Sequence, residues 1–324
     1  MARLTLTLAC GDYDLTRGLL QGTVVPQGID LIPLTMPSPE RHWRLARGQE
    51  FDICEYSLAS YLVSREGDLP YTAIPVFPHR RFRHSFVFVR AAAGIERPED
   101  LIGKRVAVRT WQTTAGVWMR GILASEYGVP LDRVRWFAQH EEDLPLSLPP
   151  GVRVERLPAD ANIDTLLVEG ELDAALYPEI LPSLLRGDPR VRRLWPDSRA
   201  VEQAYFRRTG IFPIMHTVVI RNRVLEAHPW VARSLLDAFT RAKQQAYAYL
   251  ENPRTVALAW VRELLDEQKA LLGPDPWVYG FAPNRHVLAT FCQYAHAQGL
   301  TRRPIDPAEL FVATTLDELP KYVE

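Results

Sequence analysis

Leu4, Leu6 and Leu8 alternate with Thr5 and Thr7 at the start of the chain. A period of two predicts a strand over Leu4–Ala9, because successive strand side chains point to opposite faces. The period then changes. Asp14–Gln21 reads as a short helix and Ile29–Leu34 as a strand. Pro39–Arg47 reads as a helix closed by Gly48, Phe51–Cys54 as a strand, and Ser57 as the N-cap of a helix running to about Arg65. Further strands are predicted at Tyr71–Phe77, Ser85–Arg90, Arg105–Val108, Val134–Phe137, Val152–Arg156, Leu172–Leu176 and Phe212–Ile220. Pro98–Leu101 is expected to form a brief helical turn, and helices are expected over Thr114–Tyr127 and Ile163–Glu169, the second closed by Gly170. Past the last strand the pattern is helical: Pro229–Leu250, Val256–Leu272 and Asn284–Gln298.

Strands alternating with helices predict an α/β fold with mostly parallel sheets covered on both faces. A faint repeat refines this. Leu8–Leu20 runs strand end, polar turn, then a helix ending Arg17-Gly18-Leu19-Leu20; Val108–Leu123 follows the same plan and ends Arg120-Gly121-Ile122-Leu123. Leu45–Leu62 and Leu167–Leu185 share a second plan, with Gly48 and Asp52 matched by Gly170 and Asp173. Two lobes on one plan are therefore expected, the first from 1–90 and 213–324 and the second from 91–212. Open α/β sheets bind ligands beyond the carboxyl ends of their strands. Those ends are Cys10–Asp14, Glu55–Ser57, Thr110–Thr114 and Tyr177–Glu179, so two facing lobes would line one cleft with these four turns. The proline-rich loop Glu141–Gly151 reads as a solvated connection.

The chain has 324 residues, enough for two such lobes with cores of their own. Its 38 basic residues against 39 acidic ones argue against a nucleic-acid partner. Met1–Cys10 superficially resembles a lipoprotein leader, but its apolar stretch is short and alternating. No run of about 18 apolar residues predicts a membrane span. A cytoplasmic protein without membrane partners is expected. Three cysteines suit neither a disulfide framework nor a zinc site. The eight histidines show no H-x-x-H or H-E-x-x-H spacing, and no metal is expected.

Six segments carry a family resemblance: T-L-A-C-G-D-Y-D at Thr7–Asp14, F-D-I-C-E-Y-S-L at Phe51–Leu58, and I-P-V-F-P-H-R-R-F-R-H-S at Ile74–Ser85; V-W-M-R-G-I-L at Val117–Leu123, T-G-I-F-P-I-M-H-T-V-V-I at Thr209–Ile220, and P-N-R-H-V-L at Pro283–Leu288. Together they resemble the 4,5-dihydroxyphthalate decarboxylase family, soluble enzymes on the two-lobed fold of type II periplasmic binding proteins. The resemblance implies non-oxidative decarboxylation of a hydroxylated aromatic (di)carboxylate. His79 and Arg81 fall at variable positions of the family pattern, whereas Arg80, Arg83, His84 and Ser85 match it.

Such chemistry needs a carboxylate clamp, a proton donor for the ring carbon that bears the departing group, and an acceptor for the para hydroxyl's proton. It needs no organic cofactor. Arg80 and Arg83 are the candidate clamp, since a guanidinium pairs bidentately with a carboxylate. His84 and His216 are the candidate proton donor and acceptor, in unassigned order; His216 could equally be a core histidine of its apolar strand. Asp12 and Glu55 could accept from a hydroxyl or orient a histidine. The Thr110–Thr114 turn opens a helix whose free N–H groups suit a carboxylate, with Thr113 and Thr114 as candidate contacts. Ser57 is an expected cap facing the ligand, Trp111 a candidate lid or stacking surface, Tyr177 a candidate partner for a hydroxyl, and Glu179 a surface residue. Closure about the crossovers near Arg90 and Phe212 would exclude water. A homo-oligomer is expected. The alternative is a solute-binding protein for a small aromatic or carboxylate ligand, because one fold hosts many functions.

Overall fold

A computed structural model describes residues 3–67 and 69–317. In chain order the first stretch forms β1 (Leu4–Cys10), α1 (Asp14–Leu20), β2 (Ile29–Thr35), α2 (Ser38–Gly48), β3 (Ile53–Ser57), α3 (Leu58–Ser64) and β4 (Tyr71–Ile74). The middle of the chain forms β5 (Val87–Arg90), β6 (Arg105–Val108), α4 (Thr114–Tyr127), β7 (Arg135–Ala138), β8 (Val154–Arg156), α5 (Ile163–Glu169), β9 (Ala174–Leu176), α6 (Pro182–Leu185), β10 (Val191–Arg193) and α7 (Ser198–Thr209). It ends with β11 (His216–Arg221), α8 (Asn222–Ala227), α9 (Val231–Glu251), α10 (Val261–Leu272) and α11 (Arg285–Ala297).

These elements build two sheets, ordered β2-β1-β3-β11-β4 and β10-β5-β9-β6-β7-β8. Read from the other side, the second sheet repeats the first: β7, β6, β9, β5 and β10 stand where β2, β1, β3, β11 and β4 stand, with β8 added at the edge. The repeat in the sequence is thus a repeat of topology. The expected parallel order holds for β2-β1-β3 and for β8-β7-β6-β9, but not throughout. β11 runs antiparallel to β3 and β4, and β5 antiparallel to β9 and β10. Each of these two strands arrives from the other sheet. It therefore enters at the carboxyl ends of its neighbours and must run against them. Sheet membership changes between Ile74 and Val87, so β5 belongs to the second sheet although it precedes residue 91.

Other boundaries differ for local reasons. The strand predicted over Tyr71–Phe77 stops at Ile74 before Pro75, which has no N–H to give a ladder. His84–Phe86 forms a single 3-10 turn ahead of β5. Gly48 ends α2 inside the helix, and Gln49 takes the left-handed position instead, with φ of 49°. α6, α7, α8 and β10 lack an apolar period long enough to be predicted; α7 buries only Tyr205. In the core, α9 packs on α1, and α11 lies against α4. Gly121 of α4 leaves room there for the Tyr294 ring, which a Cβ would meet.

Candidate active site

The pairing of β3 with β11 sets the site. His216 at the start of β11 is opposite Ser57, and Val218 is opposite Glu55. Both strand ends therefore lie at the edge that faces the second sheet. Glu55 is fully buried, behind His216. It accepts the backbone N–H of Gly11 at 2.8 Å, the Tyr13 hydroxyl at 2.9 Å and the Arg41 guanidinium at 2.8 Å. His216 Nδ1 lies 2.5 Å from Oε1, the oxygen that also accepts the Tyr13 hydroxyl, while Gly11 and Arg41 share Oε2. A carboxylate has about four acceptor sites, and these partners fill them.

Arg41 comes from the buried face of α2 and shows no exposure. Its Nε also donates to the Glu55 carbonyl at 3.1 Å and its Nη1 to the Met36 carbonyl at 2.8 Å. Burial pushes the Glu55 carboxyl up, but Arg41, His216 and the Gly11 N–H outweigh it and hold the group well below the usual carboxylate range. Glu55 is thus a fixed anion. It holds the His216 ring in place and leaves Nε2 as the nitrogen free for chemistry.

Two more histidines pack against His216 edge to face. The ring of His42 stands 4.9 Å from it and that of His79 4.8 Å, and His79 also stacks on Tyr13 at 5.9 Å. Burial, followed by the field of His216, pushes both His42 and His79 well below the ordinary histidine value. They are neutral at pH 7. Nε2 of His42 and Nδ1 of His79 are buried without a partner.

His216, His79 and His42 form part of one wall of a cleft of about 520 Å³, together with Ser57, Ser60 and Arg83. The start of α2 adds Ser38, Pro39 and the half-exposed Trp43 at the rim. The facing wall carries Arg109, Thr110, Gln112, Thr113 and Thr114 at the entry to α4, and His140, Glu141, Asp143, Pro178 and Glu179 beyond it. Ser57 Oγ and Thr114 Oγ1 meet at 2.8 Å, and Thr114 also accepts the Ala59 N–H at 2.9 Å, so one threonine ties the walls together. Thr113 bonds Thr110, hydroxyl to hydroxyl, at 2.6 Å.

Arg83 is buried yet opens on this cleft. Its Nη1 donates to the Pro178 carbonyl at 3.1 Å, and its Nε and Nη2 approach the Met215 sulfur at 3.1 and 2.7 Å. Among the described residues no carboxylate stands within ion-pair distance of it. Burial, with the like charge of Arg81, pushes it down to about 9. A buried cation without a counter-ion is costly unless a bound anion completes it.

No protein-family model matches the chain. A curated 4,5-dihydroxyphthalate decarboxylase from Comamonas testosteroni is 39% identical over 326 residues, covering 98% of this chain and 99% of that protein. The chain belongs to the 4,5-dihydroxyphthalate decarboxylase family. A second relative of that name, from Pseudomonas putida, is 36% identical over 214 residues, covering 64% of this chain and 83% of its own. Among solved structures, the periplasmic aliphatic sulphonate binding protein SsuA from Escherichia coli aligns with a TM-score of 0.58 at 14% identity, covering 97% of this chain and 99% of its own. A Candida albicans protein with the generic periplasmic binding protein fold aligns at a TM-score of 0.53 and 12% identity, covering 99% of this chain and 98% of its own. These two establish the fold.

Within this decarboxylase-family chain, the residues proposed from sequence part company. His216, Arg83, Ser57, Thr113 and Thr114 line the cleft, with Glu55 directly behind them. Arg80 does not join Arg83. It is buried three residues away against the C-terminal segment, where it donates to the Phe212 carbonyl at 3.3 Å, the Val278 carbonyl at 2.8 Å and the Asn284 side chain. His84 is also elsewhere, in a cage of Trp195, Tyr205 and Tyr127, and neither ring nitrogen has a partner. Asp12 is exposed and pairs with Arg17 at 3.5 Å. Trp111 turns into the core, with Nε1 on the Gln298 carbonyl at 2.9 Å and Arg120 over its ring at 3.8 Å. Tyr177 bonds Gln139 at 3.0 Å outside the cleft, while Glu179 is exposed, as its surface reading expects, and also lines the cleft, pairing with Arg109 at 3.5 Å.

Sequence reasoning missed Arg41, His42, Tyr13 and the acidic loop. Arg41 and His42 sit on a helix whose charged face hid them, although Arg41, His42 and Leu45 fall on one side of it. The loop Glu141–Gly151 is a solvated connection only in part: Glu141 and Asp143 reach the cleft, and the Glu142 carboxylate accepts the N–H groups of Trp111 at 2.5 Å and Gln112 at 2.9 Å.

Proposed function

We propose that this protein is a carboxy-lyase that removes CO₂ from 4,5-dihydroxyphthalate and leaves 3,4-dihydroxybenzoate. One observation carries the reading: Arg83, a buried cation with no carboxylate at ion-pair distance among the described residues, opens on the same cleft as His216, whose Nδ1 is held by the buried Glu55. The names of two relatives at 39% and 36% identity support the same reaction. The two carboxylates of this substrate are equivalent by symmetry, and each lies para to a hydroxyl. A proton adds to the ring carbon that bears one carboxylate while the para hydroxyl gives up its own. The carbon–carbon bond then breaks, its electron pair restores the aromatic ring, and CO₂ departs. The reaction consumes one proton from solvent.

In this reading His216 Nε2 delivers the proton to the ring carbon, and Glu55 orients the imidazole and balances its positive charge. Arg83 takes a carboxylate with the Thr113 hydroxyl and the free N–H groups at the start of α4. The two lobes are taken as 1–90 and 213–324 around the first sheet and 91–212 around the second, except that β5 at Val87–Arg90 pairs within the second sheet; residues 1–2, 68 and 318–324 lie outside the described residues. Their closure strengthens the electrostatics by excluding water. Among the described residues no helix is long and apolar enough to cross a membrane. The reading carries with it a cytoplasmic location and an assembly of like subunits, for which the exposed Leu258, Trp260 and Leu264 offer apolar surface.

The test is to incubate the purified protein with 4,5-dihydroxyphthalate and follow CO₂ and 3,4-dihydroxybenzoate. His216→Ala is expected to lower kcat by about 100-fold or more, the usual contribution of a positioned acid or base. Full activity in that variant would sink the proton assignment. Tight binding of the diacid without turnover would favour a solute-binding role instead.

A further inference from the structure

We propose that Gln112 and Asp143 form the end of the cleft that holds the substrate's two adjacent hydroxyls, and that Asp143 accepts the proton of the hydroxyl para to the departing carboxylate. This inference rests on the decarboxylase reading above. Its starting point is Gln112. The side chain is 1% exposed and lines the cleft, yet neither its amide oxygen nor its amide nitrogen has a hydrogen-bond partner. No well-formed hydrogen bond closes on either end of this amide, although the Asp143 carboxylate lies close enough to act on it, and a buried amide left so costs stability unless a ligand completes it. It offers one acceptor and one donor group side by side. A pair of adjacent hydroxyls presents the complement, one O–H to give and one oxygen to receive.

Asp143 lines the same stretch of wall and feels the Gln112 amide beside it. Its position follows from its neighbour. Glu142 pins the loop to the turn before α4 through the Trp111 and Gln112 N–H groups, which brings the next residue to the cleft. The phenolic oxygen and the ring carbon that takes a proton lie at opposite ends of the ring, so with His216 on one wall the acceptor must stand on the other. Four groups able to accept a proton line that other wall, beside the Arg109 cation. Glu179 is committed to Arg109 at 3.5 Å. Glu141 is nine-tenths exposed and faces Arg156 at 3.9 Å. His140 is exposed, and partial desolvation together with Arg109 lowers its affinity for a proton. Asp143 is half-buried and, among the described residues, forms no ion pair. Burial raises its carboxyl above the usual range, with Arg109 pulling against it, so it is a stronger base toward a phenol than an exposed aspartate.

The proton balance closes. Asp143 takes the hydroxyl proton as His216 protonates the ring carbon. When the carbon–carbon bond breaks, the electron pair returns through the ring to the phenolic oxygen, which takes the proton back from Asp143. His216 is then reprotonated from solvent.

The experiment pairs kinetics with calorimetry, using 4,5-dihydroxyphthalate and unhydroxylated phthalate as the two ligands. Asp143→Asn is expected to lower kcat by about 100-fold. Gln112→Leu is expected to raise Kd for the dihydroxy acid by about tenfold, the worth of one or two lost hydrogen bonds. Both variants should bind phthalate as the parent protein does, which also reports an intact fold. Equal weakening toward both ligands, or unchanged kcat in Asp143→Asn, would overturn the inference. If the parent protein itself fails to turn over the dihydroxy acid, the decarboxylase reading falls. The ratio of the two Kd values then still decides whether Gln112 and Asp143 read the hydroxyls.

Discussion

His84 supplies a prediction in which chemistry and stability separate. Its ring centre lies 5.1 Å from Trp195, 5.1 Å from Tyr205 and 6.3 Å from Tyr127, and both of its nitrogens are buried without a partner. Burial, with a smaller push from Arg208, lowers it from 6.5 to about 4. In the unfolded chain it returns to about 6.5. Between those two values the unfolded state binds a proton that the folded state refuses, so folding loses stability as pH falls through that window. Above about 6.5 both states are neutral and nothing is lost. Below about 4 both are charged and the loss is complete, on the order of 3 kcal/mol. Over the accessible range from pH 7.5 to 5, the same linkage gives about 2 kcal/mol. Phenylalanine fits an aromatic cage and does not titrate. Urea unfolding of the parent and of His84→Phe across this range should therefore show the parent losing about 2 kcal/mol more than the variant. Buried groups that titrate alike in both proteins, such as His42 and His79, cancel in the difference. His84→Phe should also retain turnover, because His84 does not line the cleft. Parallel stability curves would refute the burial argument. Loss of turnover in a folded variant would refute the placement.

Two further predictions concern residues that sequence alone does not separate. Arg80→Met strips the Phe212 and Val278 carbonyls and Asn284 of a donor. It should lower stability by about 2–4 kcal/mol in urea while KM stays within about twofold, whereas Arg83→Met should raise KM by about tenfold or more with a smaller stability loss. Gly121→Ala should destabilise by about 1–3 kcal/mol in a thermal melt with unchanged kcat, because its Cβ meets the Tyr294 ring between α4 and α11.

The short strands and helices were largely legible because period is a local property. Leu4, Leu6 and Leu8 mark β1 without reference to the rest of the chain, and the two copies of the strand–turn–helix plan mark the repeat. The segment between Pro75 and Arg83 has no period, so nothing local tells Arg80 from Arg83 or assigns His84 to a cage. Their fates follow from neighbours far along the chain: Asn284 for Arg80, Met215 and Pro178 for Arg83, Trp195 and Tyr205 for His84.

What the sequence determined alone was the two-lobed α/β plan, the turns at the carboxyl ends of the strands, and the residue types able to hold an aromatic diacid. Tertiary structure decided which of them meet. Glu55 gathers Arg41 from 14 residues back and His216 from 161 residues on. That convergence depends on β11 entering the first sheet from the cleft side and on the register that sets His216 opposite Ser57. A hydrophobic period reports which face of an element is buried. It carries no information about which distant strand will lie beside it, so the polar cluster exists only once the sheet has closed.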